Sequence, residues 1–153
     1  IVNVITKKPI ANNPFATAGF MFGAYSQARY TADVNSEITQ SGNVLFRLNA
    51  AQEDINSFVN FVSTNRTQIA PVVTWLVNDA TTLTWNGEWH KDYRTGFQGT
   101  PAVNGDPLFL PPSRFVGQPT DFLNTEEFRQ SLVLTSQLSD LPLRKQTVTT
   151  GDL

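Results

Sequence analysis

Residues 81–90, TTLTWNGEWH, decide the fold because their side chains alternate between apolar and polar. One side of the stretch carries Leu83, Trp85, Gly87 and Trp89, and the other carries Thr82, Thr84, Asn86, Glu88 and His90. A β-strand directs successive side chains to opposite faces of its sheet. The stretch therefore predicts a strand with one apolar face and one polar face.

The same alternation recurs on both sides of this stretch. The strands that it predicts cover residues 15–25, 28–38, 44–53, 67–77, 81–94 and 127–138, with a further strand beginning at 143. The sequence therefore predicts an all-β fold, an antiparallel meander of six to seven strands. Two environments are compatible with it: a soluble sheet buries its apolar face, whereas a membrane β-barrel turns that face towards lipid.

The composition narrows the class of protein. Only 16% of the residues are charged, against about 25% in ordinary soluble domains, while 11% are aromatic. The absence of cysteine excludes disulfides, thiolate metal sites and cysteine nucleophiles, and a net charge of −2 gives no support for nucleic-acid binding. The sequence has no apolar run of about 18 residues, which excludes a membrane helix but not a membrane barrel.

The connections between predicted strands favour the barrel. Those around 26–27, 39–43, 78–80 and 140–142 are short, that at 54–65 is longer, and 95–124 is very long. Outer-membrane barrels combine tight turns at one end with long loops at the other. A soluble or secreted β-sandwich binding module, in which the apolar faces would form the core, remains the alternative.

Several segments, in order along the chain, resemble the TonB-dependent outer-membrane siderophore receptors. IVNVITKKP (1–9) resembles the last strand of that family's plug domain. RLNAAQE (47–53) with Ser57-Phe58 resembles its third barrel strand, and IAPVVTW (69–75) is similar to its fourth. Leu110-Pro111 with RFVGQP (114–119) looks like a loop signature of the same family.

The resemblance implies an organisation and a function. Residues 1–9 would end a plug domain, and residues 10–153 would form the N-terminal portion of a β-barrel in the bacterial outer membrane. The protein would take up a ferric siderophore, an iron chelate, with energy from a TonB-type partner; its other partner would be the lipid bilayer. It would need no cofactor and would not be an enzyme. Because both ends of the chain fall in β-rich sequence, we expect a piece of a longer protein.

The resemblance also implies ligand-binding residues around the long connection. Extracellular aromatic and arginine side chains of siderophore receptors often contact the anionic chelate, through apolar contact area and charge respectively. The corresponding residues here are Tyr93, Arg94, Phe97, Phe109, Arg114 and Phe115. The alternative is that these side chains only fold the loop onto itself.

Other candidate sites favour structural roles. His90 and Glu88 share a strand face, and we expect both to be polar residues of the barrel lumen rather than a metal or acid–base pair. Glu126 and Glu127 are adjacent in a strand and so point to opposite faces, which excludes a shared substrate. We therefore predict no catalytic residue and no metal site.

Two further expectations follow from the strand faces. Asp33 and Arg47 lie on the polar faces of neighbouring strands and are expected to pair. Trp75, Trp85 and Trp89 share the apolar face, and in a barrel they would face lipid, with Trp75 and Trp89 in the aromatic girdles.

Overall fold

The computed structural model describes residues 6–99, 102, 104–105, 110–137 and, for the backbone alone, 144–148. In this part of the chain seven strands form one sheet in the order β1 to β7, each antiparallel to the next. The strands are β1 Phe15–Phe22, β2 Ala28–Glu37, β3 Val44–Asn56, β4 Ser63–Asn78, β5 Thr81–Thr95, β6 Phe122–Ser136 and β7 Arg144–Val148. The predicted all-β antiparallel meander is confirmed. No helix among the described residues has the length and apolar character to span a membrane.

Strands β3 and β4 are longer than predicted. Their pairing continues through Asp54↔Asn65 to Asn56↔Ser63, so the connection between them covers only 57–62. The extension is polar on both faces except at Ile55, and hydrophobic alternation therefore could not detect it. The predicted asymmetry of loops consequently reduces to one long connection, 96–121, because 57–62 is no longer than the 38–43 turn.

The register separates the two faces of the sheet as the alternation predicted. The face that carries Trp75, Trp85 and Trp89 is called the outer face, and the opposite one the inner face. Opposed pairs on the outer face include Val34↔Leu48, Phe46↔Val73, Trp75↔Leu83 and Trp85↔Leu132. Opposed pairs on the inner face include Asn35↔Arg47, Glu53↔Arg66, Thr74↔Thr84 and Asn86↔Ser131.

The outer face is apolar over only part of its height. On β3 to β5 it is apolar from the level of Trp75 up to that of Ile69, and above that level these strands carry Gln52, Thr67 and Lys91. The apolar stretch Ile69–Val77 is close to the 9–11 residues with which a tilted strand crosses a bilayer. Trp75 lies at one margin of this band and Trp89, opposite Ile69, at the other. Both are placed as girdle residues would be, although Trp89 is well inside β5 rather than near its end.

Residues 6–14 precede β1 and run across the inner face. Thr6 hydrogen-bonds to Asn86 of β5 at 3.2 Å, whereas further along the backbone N–H of Asn12 donates to Glu37 of β2 at 2.7 Å. This segment lies where an inner-face residue, Val72, is only 1% exposed. The inner face is thus partly covered by the chain's own N-terminal part.

Candidate functional site

Two of the predicted ligand-binding residues, Tyr93 and Arg94, lie on opposite faces of β5. Tyr93 is on the outer face, opposite Asn124, and its ring stacks on Phe122 with centroids 4.9 Å apart. Arg94 is exposed on the inner face, opposite Thr64. A ligand held on the inner side of the sheet would therefore meet Arg94 and not Tyr93.

The predicted residues of the long connection are partly brought together. The rings of Phe97 and Phe115 stack at 5.8 Å, and Phe115, at 9% exposure, is the more buried of the two. Arg114 beside it is exposed, and Phe109 lies outside the described residues. Phe61 completes the cluster with its ring 6.1 Å from that of Phe115. Phe61 was not among the residues predicted from the sequence, although the aromatic content of 57–62 was an available signal.

Hydrogen bonds join the same two connections. The backbone N–H of Asn60 donates to the carbonyl of Ser113 at 3.1 Å. The hydroxyl of Thr95 donates to the carbonyl of Phe61 at 2.9 Å and accepts from the N–H of Ser63 at 3.2 Å. Segment 57–62 therefore packs against the described part of the long connection around Ser113 and Phe115, and we call these packed residues the loop unit.

Below the loop unit a row of charges crosses the inner face. Arg29, Glu53, Arg66 and Asp92 oppose one another on β2 to β5, with nitrogen–oxygen distances of 3.3, 3.5 and 3.2 Å along the row. The two carboxylates are 11% and 13% exposed, whereas the guanidinium side chains are 43% and 41% exposed. The row therefore presents its positive groups to the space in front of the sheet. One carboxylate oxygen of Asp92 is buried without a hydrogen-bond partner among the described residues.

The predicted Asp33–Arg47 ion pair is confirmed, and both of its members also contact the N-terminal segment. Arg47 donates to both carboxylate oxygens of Asp33 at 2.9 Å, diagonally across the ladder, because Asp33 directly opposes Asn49. Lys7 also contacts Asp33 at 2.9 Å, and Arg47 donates to the carbonyl of Lys8 at 2.9 Å. The pair thus binds the N-terminal segment to the sheet as well as β2 to β3.

A groove of about 530 Å³ lies between the N-terminal segment and the inner face. Its lining includes Thr6, Lys7, Arg29, Thr31, Gln68 and Glu88. Gly19 forms part of its wall, where an added Cβ would lie 2.5 Å from the hydroxyl of Thr31. The volume is in the range of small-ligand sites, and the lining, which also includes Ala32, Ala50, Ala51, Ala70 and Val72, suits either a ligand with polar and apolar parts or the side chains of a packed domain.

The remaining candidates lie on the strand faces that the alternation predicted. Glu88 accepts a hydrogen bond from Gln68 at 2.8 Å, and His90 lies on the same inner face opposite Glu127. Glu126 is on the outer face, where it accepts from the indole of Trp89 at 3.0 Å. The described residues contain no group of three or more His, Cys, Asp or Glu able to hold a metal ion.

The curated relatives of this chain are receptors. The metal-pseudopaline receptor CntO of Pseudomonas aeruginosa, in two strains, is 33% identical to it over 120 residues. The match covers 78% of this chain and 17% of the receptor. The chain thus spans about a sixth of the length of the curated relatives that it matches. No family model matches the sequence.

Solved structures share the sheet. The FpvAI–pyocin S2 complex superposes with a TM-score of 0.79 at 20% identity, over 88% of this chain and 18% of that one. The ferric-catecholate import receptor Fiu of E. coli gives 0.71 at 20% identity, over 88% of this chain and 22% of that one. Identities this low establish the fold alone. The relationship in sequence is established by the 33% identity to CntO. Together they assign the chain to the family of TonB-dependent outer-membrane receptors.

Proposed function

We propose that this chain is part of the barrel wall of a receptor that takes up a metal chelate with energy supplied by a TonB-type protein. The observation that carries the proposal is the inverted sheet: its outer face is apolar and exposed, and its inner face is polar and crossed by residues 6–14. A barrel in lipid that encloses a plug requires this arrangement. The identity to a metal-pseudopaline receptor supports a metal chelate as the ligand.

The contacts of the N-terminal segment support a division of the chain between two domains. In this proposal residues 1–9 end the plug and residues 10–153 begin the barrel. Lys7 and Lys8 touch the wall through single polar contacts, whereas Ile10 is held by Asn35 of β2 through two. The contacts with the wall therefore become denser at the proposed boundary.

The proposed ligand is a ferric siderophore or a related anionic metal chelate. Arg94 and Arg114 are exposed at the loop end of the sheet, and the guanidinium groups of Arg29 and Arg66 are half-exposed below them. Guanidinium groups suit carboxylate and other anionic oxygen ligands. The receptor would carry this ligand without breaking a bond, so we propose a transporter and not an enzyme.

The β-sandwich alternative lacks support among the described residues. A sandwich needs a second sheet over the apolar face. All seven described strands belong to one sheet, and on its outer face Phe20 and Phe22 are each 70% exposed. Nothing in this part of the chain covers those side chains.

Uptake by the whole receptor tests the proposal. The full-length gene would be expressed in bacteria that lack their own siderophore receptors, with and without TonB. The ⁵⁵Fe complexes of pseudopaline, pyoverdine and a catecholate would serve as probes. We expect surface binding of at least one probe in both strains and its uptake only with TonB. Absence of binding, or uptake that is independent of TonB, would contradict the proposal.

A matched pair of variants locates the ligand side of the wall. Arg94→Met removes an exposed cation from the inner face of β5, and Lys91→Met removes one from its outer face. We expect only the first to weaken binding, because a ligand in the lumen cannot reach the outer face. Equal effects of the two variants would contradict a lumenal site.

A further inference from the structure

Asn35 is the polar residue most completely buried by the N-terminal segment. It lies on the inner face of β2 and is 2% exposed. Its Oδ1 accepts from the backbone N–H of Ile10 at 2.9 Å, and its Nδ2 donates to the carbonyl of Ile10 at 2.8 Å. Nδ2 also donates to the carbonyl of Asn13 at 2.7 Å.

This geometry recognises backbone and not side chain. The amide of Asn35 meets both the N–H and the C=O of Ile10, the two groups that a neighbouring strand would pair in an antiparallel ladder. The Ile10 side chain takes no part in these bonds and is 45% exposed. The side-chain amide of Asn35 therefore replaces the backbone groups of a neighbouring strand. We expect it to bind the backbone at position 10 independently of the side chain there, provided that the N–H is present.

The contacts that precede this point are weaker. Lys7 reaches Asp33 from a side chain that is 60% exposed, and solvent-exposed ion pairs contribute little. The carbonyl of Lys8 accepts a single exposed bond from Arg47. After Ile10, the N–H of Asn12 adds a bond to Glu37. The attachment to the wall thus consists of single bonds at Thr6, Lys7 and Lys8, and of three part-buried bonds to Asn35 between Ile10 and Asn13.

We propose that Asn35 is a positioning residue that makes Ile10–Asn13 the fixed end of the N-terminal segment. A pull on the chain before Thr6 would release Thr6 to Lys8 and stop at Ile10, so that β1 is not peeled from the sheet. The pulling force itself rests on the proposed function. The attachment of Ile10 and Asn13 to Asn35, which we call the clamp, can be measured without it.

Single-molecule pulling on the whole receptor in a bilayer tests the clamp directly, with the handle placed before residue 6. The wild type should give one force peak at Ile10, and a second after the release of residues 10–14. At about 3.5 Å per residue the two peaks would be about 17 Å apart. Asn35→Ala should abolish the first peak. Identical peak positions in the two receptors would overturn the proposal.

Two further variants separate the clamp from general damage to the wall. Ile10→Pro removes the N–H that donates to Asn35 Oδ1 while leaving the wall and the two bonds from Asn35 Nδ2 unchanged, and it should therefore lower the force of the first peak. Asn49→Ala changes an asparagine of the same face that makes none of the three bonds to residues 10–13, and it should keep that peak. An unchanged force of the first peak in Ile10→Pro, or loss of the peak in Asn49→Ala, would overturn the clamp.

Uptake then tests the positioning role. With ⁵⁵Fe–pseudopaline, or whichever of the three probes the wild type takes up, Asn35→Ala should bind as tightly as the wild type but transport several-fold more slowly. Unchanged transport, or weakened binding in place of slower transport, would overturn that role. If the wild type takes up no probe, the proposed function fails while the pulling data still decide the clamp.

Discussion

The two faces of the sheet reverse the usual relation between polarity and burial. On the outer face Phe20 is 70% exposed and Trp75 45% exposed, whereas on the inner face Asn35 is 2% and Glu53 8% exposed. A protein dissolved in water places its large apolar residues at the buried positions. The exposed side of this sheet is therefore the one suited to a non-aqueous solvent, and the best-packed side is polar.

The largest effect is expected when the outer face is placed in water. This chain expressed alone should form oligomers or aggregates, because its outer face is apolar and β1 and β7 form open edges of the sheet. Sedimentation velocity would measure the species, with a detergent-solubilised sample as the control. A monodisperse monomer that unfolds cooperatively would show that the outer face does not need lipid.

The second largest effect is expected when an arginine is introduced at neighbouring positions on the two faces, because only one of these faces contacts lipid. Leu132→Arg places it on the outer face opposite Trp85, and Val133→Arg on the inner face opposite Thr84. An arginine on the lipid side near mid-bilayer lowers barrel stability by about 2–4 kcal/mol, and we expect the first variant to be less stable than the second by that amount. Urea unfolding of the whole receptor in lipid vesicles would measure it. Equal stabilities would mean that neither face contacts lipid.

Within the inner face, an ion pair at the N-terminal segment should matter more than an exposed one. Arg47→Met removes three charged hydrogen bonds from a side chain that is 12% exposed, and should lower the free energy of unfolding by about 2 kcal/mol. Arg129→Met is the control, because that side chain is 62% exposed, and should cost under about 1 kcal/mol. The same unfolding assay applies. A larger effect for Arg129 would contradict the burial argument.

The smallest effect concerns the loop unit. Phe115→Leu retains an apolar side chain but loses the ring contacts with Phe61 and Phe97, a loss of about 1 kcal/mol. Hydrogen exchange at the amide of Asn60, which is bonded to Ser113, should accelerate roughly fivefold.

Phe122→Leu gives the matched control for the loop unit. Phe122 stacks on Tyr93 but is 57% exposed and lies outside the Phe115 cluster. Exchange at Asn60 should therefore stay unchanged in this variant. Similar acceleration in both variants would show that the loops are not joined through Phe115.

The strands and faces could be predicted from the sequence because a period of two is a local signal. Leu83 to Trp89 gave the faces of β5, and the Asp33–Arg47 pair followed once β2 and β3 were recognised as neighbours. The same period could have separated Tyr93 from Arg94, which the sequence analysis grouped by proximity in the chain. The polar ends of β3 and β4 carried no such signal, since hydrophobic alternation stops at Ala50 and Ile69.

The contacts between distant segments could not be predicted in this way. Asn35 meets Ile10 and Asn13 across 22 to 25 residues, and no periodicity marks an asparagine that binds backbone. Phe61 and Phe115 meet between two irregular connections whose paths the composition does not define. Side chains of this kind are positioned by the completed sheet, and they become visible only with it.

The charge row across β2 to β5 also bears on how the sheet assembles. A slip of one residue between any two of these strands would turn an arginine towards lipid, because all side chains of that strand would change face. A slip of two residues between β3 and β4 would keep the faces but place Glu53 opposite Thr64 or Gln68, and so leave Arg66 without its β3 carboxylate. The row of Arg29, Glu53, Arg66 and Asp92 thus marks one alignment of four strands as correct during insertion into the membrane.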